Sequence, residues 1–469
     1  MASAVKSVAA LSAARVASAG LQFAILPIIA RYLSPEEFGL VALAMVFVTI
    51  SIVLADAGIG KSLIRDETLD QRVWSSAFWL LAALGLALAL LVLGSAPLIA
   101  WIFNAPDLLL LTSALAVVPL FQSLSTVFLV ELEKQQAIFT LALITVGVTC
   151  VSSLSAVVLA VMGMGAWALV GQQIVFFGLQ GGVVLCIARF RPDRQFALSS
   201  LGEHLRFGRD TVGWSLLQMV HRQSLTVALG KFGSMPQLGA FAMANRFARL
   251  PQLAIGQPVG RVFYVRMAAR HKREGAVKDL FLIGTQVLAA IVIPPMLLIA
   301  ASGHAFFTFV LGENWAGVAS VFAILAPGSA IQVALSLNGS AFMASGHTGL
   351  RLRSMVETLL LWLFLMVLAI PFGFVAILGA RTLAVVVYLP RITKFTNDAF
   401  GASLGDVLRC LTPALGFGLL GVGLHLWLVD QLEPTRIQEL LLAFFVLLST
   451  WSALAAQNFD LVQRWRQVS

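Results

Sequence analysis

The stretch LSPEEFGLVALAMVFVTISIVLADAG, Leu33 to Gly58, decides how this chain is built. A serine and a proline open it, two glutamates follow, and from Phe38 to Ala55 no charged residue interrupts the run. A helix needs roughly 20 apolar residues to cross the hydrocarbon layer of a bilayer, and this run meets that requirement. Soluble core helices are shorter, and their charged face returns every three or four residues.

Working outward, the same kind of run recurs along the whole chain. Of the 469 residues, 59% are hydrophobic and 11% charged, and mean hydropathy is +0.93; a soluble domain carries about 25% charged residues. Apolar spans read as 9–30, 38–58, 75–103, 108–130, 138–161, 165–188, 211–230, 238–262, 280–301, 316–344, 355–370, 373–390, 411–429 and 437–456. The expectation is an all-α, polytopic membrane protein of about fourteen transmembrane helices. The N-terminus carries a single Lys6 before its first helix and shows no short apolar core with a cleavage site, so that helix reads as retained.

The opening stretch has a second copy. Ser234-Met235-Pro236-Gln237-Leu238-Gly239-Ala240-Phe241-Ala242 repeats the turn proline, polar residue and apolar-Gly pair of Leu33 to Ala42, six helices later and on the same side. That relation implies a parallel repeat about an axis along the membrane normal. It divides the chain into an N-lobe of helices 1–6 over residues 1–200, a C-lobe of helices 7–12 over 201–400 and an additional helix pair over 401–469, with a cleft between the lobes.

The net charge of +9 and pI near 10.0 follow from topology. Of the 31 Lys and Arg, only Arg31, Lys231 and Arg436 fall in loops of one side, while those of the other side carry Lys61, Arg65, Arg72, Lys134, Arg189, Arg191, Arg194, Arg351, Arg353, Arg391, Lys394 and more. Positive residues stay on the cytoplasmic side, so both termini are expected there. Dropping one helix would invert every later loop and destroy the bias. No basic face interleaved with stacking aromatics exists, which argues against a nucleic-acid partner.

Five arginines remain inside spans: Arg15, Arg222, Arg246, Arg249 and Arg381. Each Arg at a helix centre costs about 2.5 to 3.5 kcal/mol on insertion scales, so Arg222, Arg246 and Arg249 together cost on the order of 8 to 10 kcal/mol if they face lipid. Residues three, four and seven apart share a helix face. Arg15, Ser18 and Gln22 align on the first helix; Ser215, Gln218, Arg222 and Thr226 on the seventh, with His221 adjacent; Asn245, Arg249, Gln252 and Gly256 on the eighth, with Arg246 offset. Three polar stripes with few acids to neutralise them describe a water-filled cationic chamber, which suits an anion. The competing readings are snorkelling for Arg15, about two turns from the surface, and pairing with backbone carbonyls or the rare buried acids for the others. Pro251 and Pro258 flank the eighth-helix stripe, so a bend is expected there.

Acids are sparse. Asp56 beside Lys61 reads first as an end-of-helix ion pair, with coupling-ion binding as the alternative, and Glu357 follows Arg353 by four residues. The six histidines show no metal-ligand spacing, and Cys150, Cys186 and Cys410 stand alone and read as helix packing. No metal and no cofactor is implied.

Three stretches carry a family resemblance: Gln22 to Arg65, QFAILPIIARYLSPEEFGLVALAMVFVTISIVLADAGIGKSLIR; Leu238 to Phe263, LGAFAMANRFARLPQLAIGQPVGRVF; and Leu311 to Gln332, LGENWAGVASVFAILAPGSAIQ. The chain resembles the polysaccharide transporter (Wzx-type) family of the multidrug/oligosaccharidyl-lipid/polysaccharide exporter superfamily. It departs at Tyr264-Val265, where such proteins often place a proline. The resemblance implies two six-helix lobes forming a V-shaped cavity, and a cargo of polyprenyl-pyrophosphate-linked oligosaccharide flipped from the cytoplasmic to the periplasmic leaflet of the bacterial inner membrane. Membrane lipids, a polysaccharide polymerase and chain-length proteins are the implied partners. Pyrophosphate binding then falls on Arg15, Arg222, Arg246 and Arg249, with Gln22, Gln218 and Asn245 beside them. An ion-coupled small-molecule antiporter of the same superfamily would want acidic cavity residues. A membrane glycosyltransferase or polymerase would want a catalytic loop with an acidic pair, and the outer loops are short.

Overall fold

In a computed structural model the described residues are 2–65, 70–274 and 277–457, and among them there is no strand. The first of two compact units, Met1–Gly239, holds α1 (Ala2–Tyr32), α2 (Pro35–Asp56), α3 (Ile59–Arg65), α4 (Gln71–Ile102), α5 (Asp107–Leu115), α6 (Val117–Lys134), α7 (Ile138–Val161), α8 (Ala166–Ile187) and α9 (Gly202–Phe232). α10 (Met235–Pro251) begins in this unit and runs into the second, Ala240–Ser469. There follow α11 (Gln257–Glu274), α12 (Lys278–Ala301), α13 (Gly303–Leu311), α14 (Gly317–Ala334), α15 (Leu337–Ala344), α16 (Thr348–Ala369), α17 (Phe374–Phe400), α18 (Leu404–Leu432) and α19 (Arg436–Gln457).

Every expected span falls on helix. Eleven helices among the described residues are long and apolar enough to cross a membrane. α1, α9 and the α10–α11 pair are outside that set, and these are the elements on which the polar stripes were read. The short α13 had no forerunner in the hydropathy pattern. Cys410 is buried, its thiol directed at the Leu282 carbonyl at 3.6 Å, but Cys150 and Cys186 are exposed on α7 and α8 rather than packed between helices.

The repeat becomes concrete where α2 and α10 begin. The Ser34 N–H donates to Glu37 Oε2 at 2.7 Å and the Glu37 N–H to Ser34 Oγ at 3.3 Å; Ser234 and Gln237 exchange the same pair at 3.0 and 3.4 Å. Each copy is thus a capping box, which satisfies otherwise orphaned N–H groups at the helix start. The two helix starts then cross with no side chain between them. A Cβ added to Gly39 would lie 2.2 Å from the Met235 carbonyl oxygen, and one added to Gly239 would lie 1.7 Å from that of Pro35. Each glycine meets the residue four positions before the other, which is the reciprocity a two-fold axis through the contact requires. The same register sets Ser18 against Gln218 and Gln22 against Arg222, so the polar stripes of α1 and α9 are also repeat mates.

At the other end of α2 the chain turns sharply. Ala57 and Gly58 adopt left-handed backbone, with φ of 48° and 66°, and a Cβ on Gly208 of α9 would sit 2.3 Å from the Ala57 carbonyl oxygen. α9 therefore lies against α2 near both ends.

The connection from α8 to α9 is strapped to the first unit. Glu131 of α6, buried, accepts the Phe190 N–H with both carboxylate oxygens at 3.0 Å. From α4, Gln71 donates to the Arg191 carbonyl and Trp79 to that of Asp193, while Ser75 and Ser76 accept the Asp193 and Ala197 N–H groups. Phe190 then stacks with Trp74 and Phe128, its ring centroid 5.8 and 5.9 Å from theirs. A polar segment without regular structure is held because its backbone groups find side-chain partners.

In the second unit α12 is the central helix, packed by α14, α18 and α19. Its neighbours bury Phe281, Phe307 and Phe322, and Phe247 of α10 contacts Phe307 edge-on at 5.2 Å. Gly328 of α14 admits α17, for a Cβ there would be 2.9 Å from Thr382 Cα, and Thr382 Oγ1 donates to the Ile324 carbonyl at 2.7 Å.

Candidate anion site on the polar helices

The site begins with a break in helical hydrogen bonding. After Pro251 the chain runs as a π-helix over Gln252–Gly256 before α11 resumes. A proline cannot donate to the preceding turn, and a widened turn absorbs the defect; such bulges occur frequently at functional sites. The bend expected between Pro251 and Pro258 is realised in this way. A Cβ on Gly256 would meet the Gln252 amide oxygen at 2.7 Å, a contact that the glutamine side chain can relieve by turning aside.

Immediately before the π-turn, α10 carries Asn245, Arg246 and Arg249. Asn245 is half-buried, whereas Arg246 and Arg249 are exposed. Arg381 of α17 is half-buried. Arg246, Arg249 and Arg381 all belong to the second unit.

The first unit holds the other candidates. On α9, Gln218 is half-buried and Arg222 exposed, while Thr226 of the same stripe is buried. On α1, Gln22 is exposed and Ser18 buried. Arg15 belongs to α1, but its side chain lies outside the described residues. Asp56 accepts the Gly58 N–H and lies in the field of Lys61, so its carboxylate closes the turn into α3. Among the described residues no cluster of His, Cys, Asp and Glu could hold a metal ion.

Arg381 is one of the five arginines read inside spans, but a single Arg in an apolar helix offers no stripe. Chemically, guanidinium forks bind phosphate oxygens through paired, planar hydrogen bonds. Two acids of the second unit are held by other cations: Glu357 receives Arg353 at 2.8 Å and Arg391 at 2.8 and 3.0 Å, and Asp406 pairs with Lys278 at 2.7 Å.

The chain is an all-α fold of many helices, eleven of them among the described residues long and apolar enough to cross a membrane. The solved "Lipid II flippase MurJ, inward closed conformation" shares it, with a TM-score of 0.76 at 14% identity over 96% of this chain and 99% of that one. An inward-facing multidrug resistance MATE family transporter of the MOP superfamily does so with a TM-score of 0.63 at 15% identity over 80% and 95%. The chain belongs to the polysaccharide biosynthesis protein family, whose model it matches over residues 28–320. The "Succinoglycan biosynthesis transport protein ExoT" of Rhizobium meliloti (strain 1021) is 28% identical over 313 residues, 66% of this chain and 62% of that protein. The "Lipopolysaccharide biosynthesis protein WzxC" of Escherichia coli (strain K12) is 24% identical over 317 residues, 65% and 63%. The chain thus spans less than two thirds of the length of these relatives.

Proposed function

We propose that this protein is a flippase that carries polyprenyl-pyrophosphate-linked oligosaccharide from the cytoplasmic to the periplasmic leaflet of a bacterial inner membrane, both of its termini being cytoplasmic. What supports the reading is that the sequence sets several arginines on helices read as spans, where cations are costly. Arg222, Arg246 and Arg249, with Arg15 on α1, receive the pyrophosphate, and Gln22, Gln218 and Asn245 offer hydrogen bonds to the sugars. The lipid tail stays among membrane lipids, so only the polar head needs the protein. Exposing the head-group site first to one face and then to the other completes transport without covalent chemistry, and for that reason we read the protein as a transporter and not as an enzyme. A polymerase and chain-length proteins would take the product on the far side, and Asp56 is retained as a candidate for ion coupling.

Reconstitution tests this. Purified protein in liposomes should move a fluorescent polyprenyl-diphosphate oligosaccharide into the outer leaflet, where a membrane-impermeant quencher reaches it. A small-molecule antiporter predicts instead that the lipid stays put while a cationic drug is expelled against a proton or sodium gradient.

A further inference from the structure

We propose that His425 of α18 and Glu439 of α19 form a proton-binding site, in which one proton shared between imidazole and carboxylate closes the two helices on each other. The site uses none of the residues assigned to the cargo and goes beyond the flippase reading above. Its occupant is a proton drawn from the aqueous phase.

α12 and α18 run side by side in the same direction. Lys278 pairs with Asp406 at 2.7 Å, the Cys410 thiol reaches the Leu282 carbonyl at 3.6 Å, and a Cβ on Gly418 would lie 3.5 Å from Pro294 Cα. His425 follows two turns later, toward the far end of the pair. One turn before it, Gly421 lets α19 close in, since a Cβ there would lie 2.7 Å from Thr450 Oγ1 and 3.5 Å from Val446 Cγ1, both of buried residues. Thr450 Oγ1 is committed to the Val446 carbonyl at 2.8 Å. The His425 ring is fully buried, and among the described residues neither of its nitrogens has a hydrogen-bond partner. Buried polar atoms are nearly always bonded, so a ring with two open nitrogens is not a static strut. Glu439 Oε1 lies 3.9 Å from His425 Nε2, just beyond hydrogen-bond reach, and 21% of the Glu439 side chain is exposed. Arg436, one turn earlier on α19, is drawn to Glu313 instead.

Without a shared proton, a carboxylate faces a buried ring and the pair carries net negative charge. One proton changes both terms. Placed on either the nitrogen or the oxygen, it makes the pair neutral overall and supplies the donor for a hydrogen bond between them, and rotation about the Glu439 side-chain bonds covers the missing distance. Burial favours a neutral pair over a charged one, and groups coupled this closely take up protons as a pair. Water reaches the carboxylate and the ring lies behind it, so the proton enters through Glu439. Other charges on the neighbouring helices are few. α12 carries its charges at the opposite end, at Lys278 and Asp279, and α13, packed against α19, adds His304. α17, packed against α18, carries Arg381, while its Arg391, Lys394 and Asp398 lie in its last turns beside the start of α18. A guanidinium does not titrate, which leaves His304 as the competing group.

Hydrogen–deuterium exchange tests this. Full-length protein in nanodiscs would be followed over residues 436–446 from about pH 8.5 down to about pH 6.5, where a free histidine begins to titrate, with intrinsic exchange rates divided out. A proton held by the closed pair and released on opening strengthens protection by up to about tenfold for each unit that the pH falls. The wild type should show that rise. Glu439→Gln should be flat, because its amide can bond the ring at every pH and has no proton to lose. His425→Gln should be flat as well, and His304→Gln should respond as the wild type does. Protection in the wild type that ignores pH overturns the proposal, and so does a response that survives Glu439→Gln. A response lost in His304→Gln but kept in Glu439→Gln overturns it too and moves the proton to His304. Should His425→Gln fail to fold, Glu439→Gln, placed at the partly exposed rim, decides alone.

Discussion

The crossing of Gly39 and Gly239 yields a prediction whose size follows from the coordinates. Real Cβ atoms essentially never come within 3.0 Å of a neighbouring heavy atom, yet one on Gly239 would lie 1.7 Å from the Pro35 oxygen and one on Gly39 2.2 Å from that of Met235. The clashing atoms are backbone, so no rotamer change can accommodate them. The helix starts of α2 and α10 must part by about 1 Å, and overpacking of this kind costs about 1 to 3 kcal/mol. Gly39→Ala and Gly239→Ala should each lower stability by that amount, while Gly94→Ala, at a position with open space around it, should be neutral. The double alanine variant is the sharper test. One separation of the helices relieves both clashes, so its cost should fall short of the sum of the singles by at least about 0.5 kcal/mol, as expected of residues in contact. Unfolding of the purified protein in detergent, followed by thermal or denaturant titration, reads all four values. Additive costs, or singles no worse than Gly94→Ala, would refute the reciprocal contact.

Other expectations are simpler to read. Reporters fused after Ser234 and Gly312 should be active on the periplasmic side, and those after Arg194 and Arg270 on the cytoplasmic side; one inverted reporter would force the spans to be redrawn. Glu131→Ala strands the buried Phe190 N–H, which costs about 1 to 3 kcal/mol, and proteolysis between residues 188 and 197 should quicken; an unchanged cleavage rate would mean that the carboxylate does not hold this segment. Replacing the Thr382 hydroxyl with a methyl group, in Thr382→Val, should weaken the α14–α17 contact by about 1 kcal/mol; an unchanged unfolding midpoint would argue that the hydrogen bond to the Ile324 carbonyl does not hold α17.

Much of the fold was legible because a bilayer leaves few alternatives. With no water to satisfy backbone groups, an apolar run of the Phe38–Ala55 type has to be helix, and the positive residues at alternate loops order the spans. The repeat was legible too, because a capping box and a glycine crossing both need particular residues at fixed spacing. What escaped notice depends on contacts between distant segments. The hold of Glu131 on Phe190 joins residues far apart in sequence, and the strap along α4 uses serines and a tryptophan that look unremarkable alone. Cys150 and Cys186 read as packing residues, but an apolar span has an outer face as well as a buried one, and both lie exposed while Thr149, Ser152 and Ser153 beside Cys150 are buried. The proline pair in the eighth span marks a weak point in the helix, but that the chain passes it as a π-turn required the structure. On the stripe of α9, Arg222 is exposed and Thr226 buried, a difference that helical spacing alone does not reveal.

The most direct measurement is polymer export by cells whose only copy of this protein carries Arg222→Gln, Arg249→Gln or both. Membrane insertion and abundance would be matched by immunoblot. Loss of export from each single variant, at normal abundance, is the predicted result. Normal export from both singles and from the double would contradict the claim that intramembrane guanidiniums receive the phosphorylated head of the cargo.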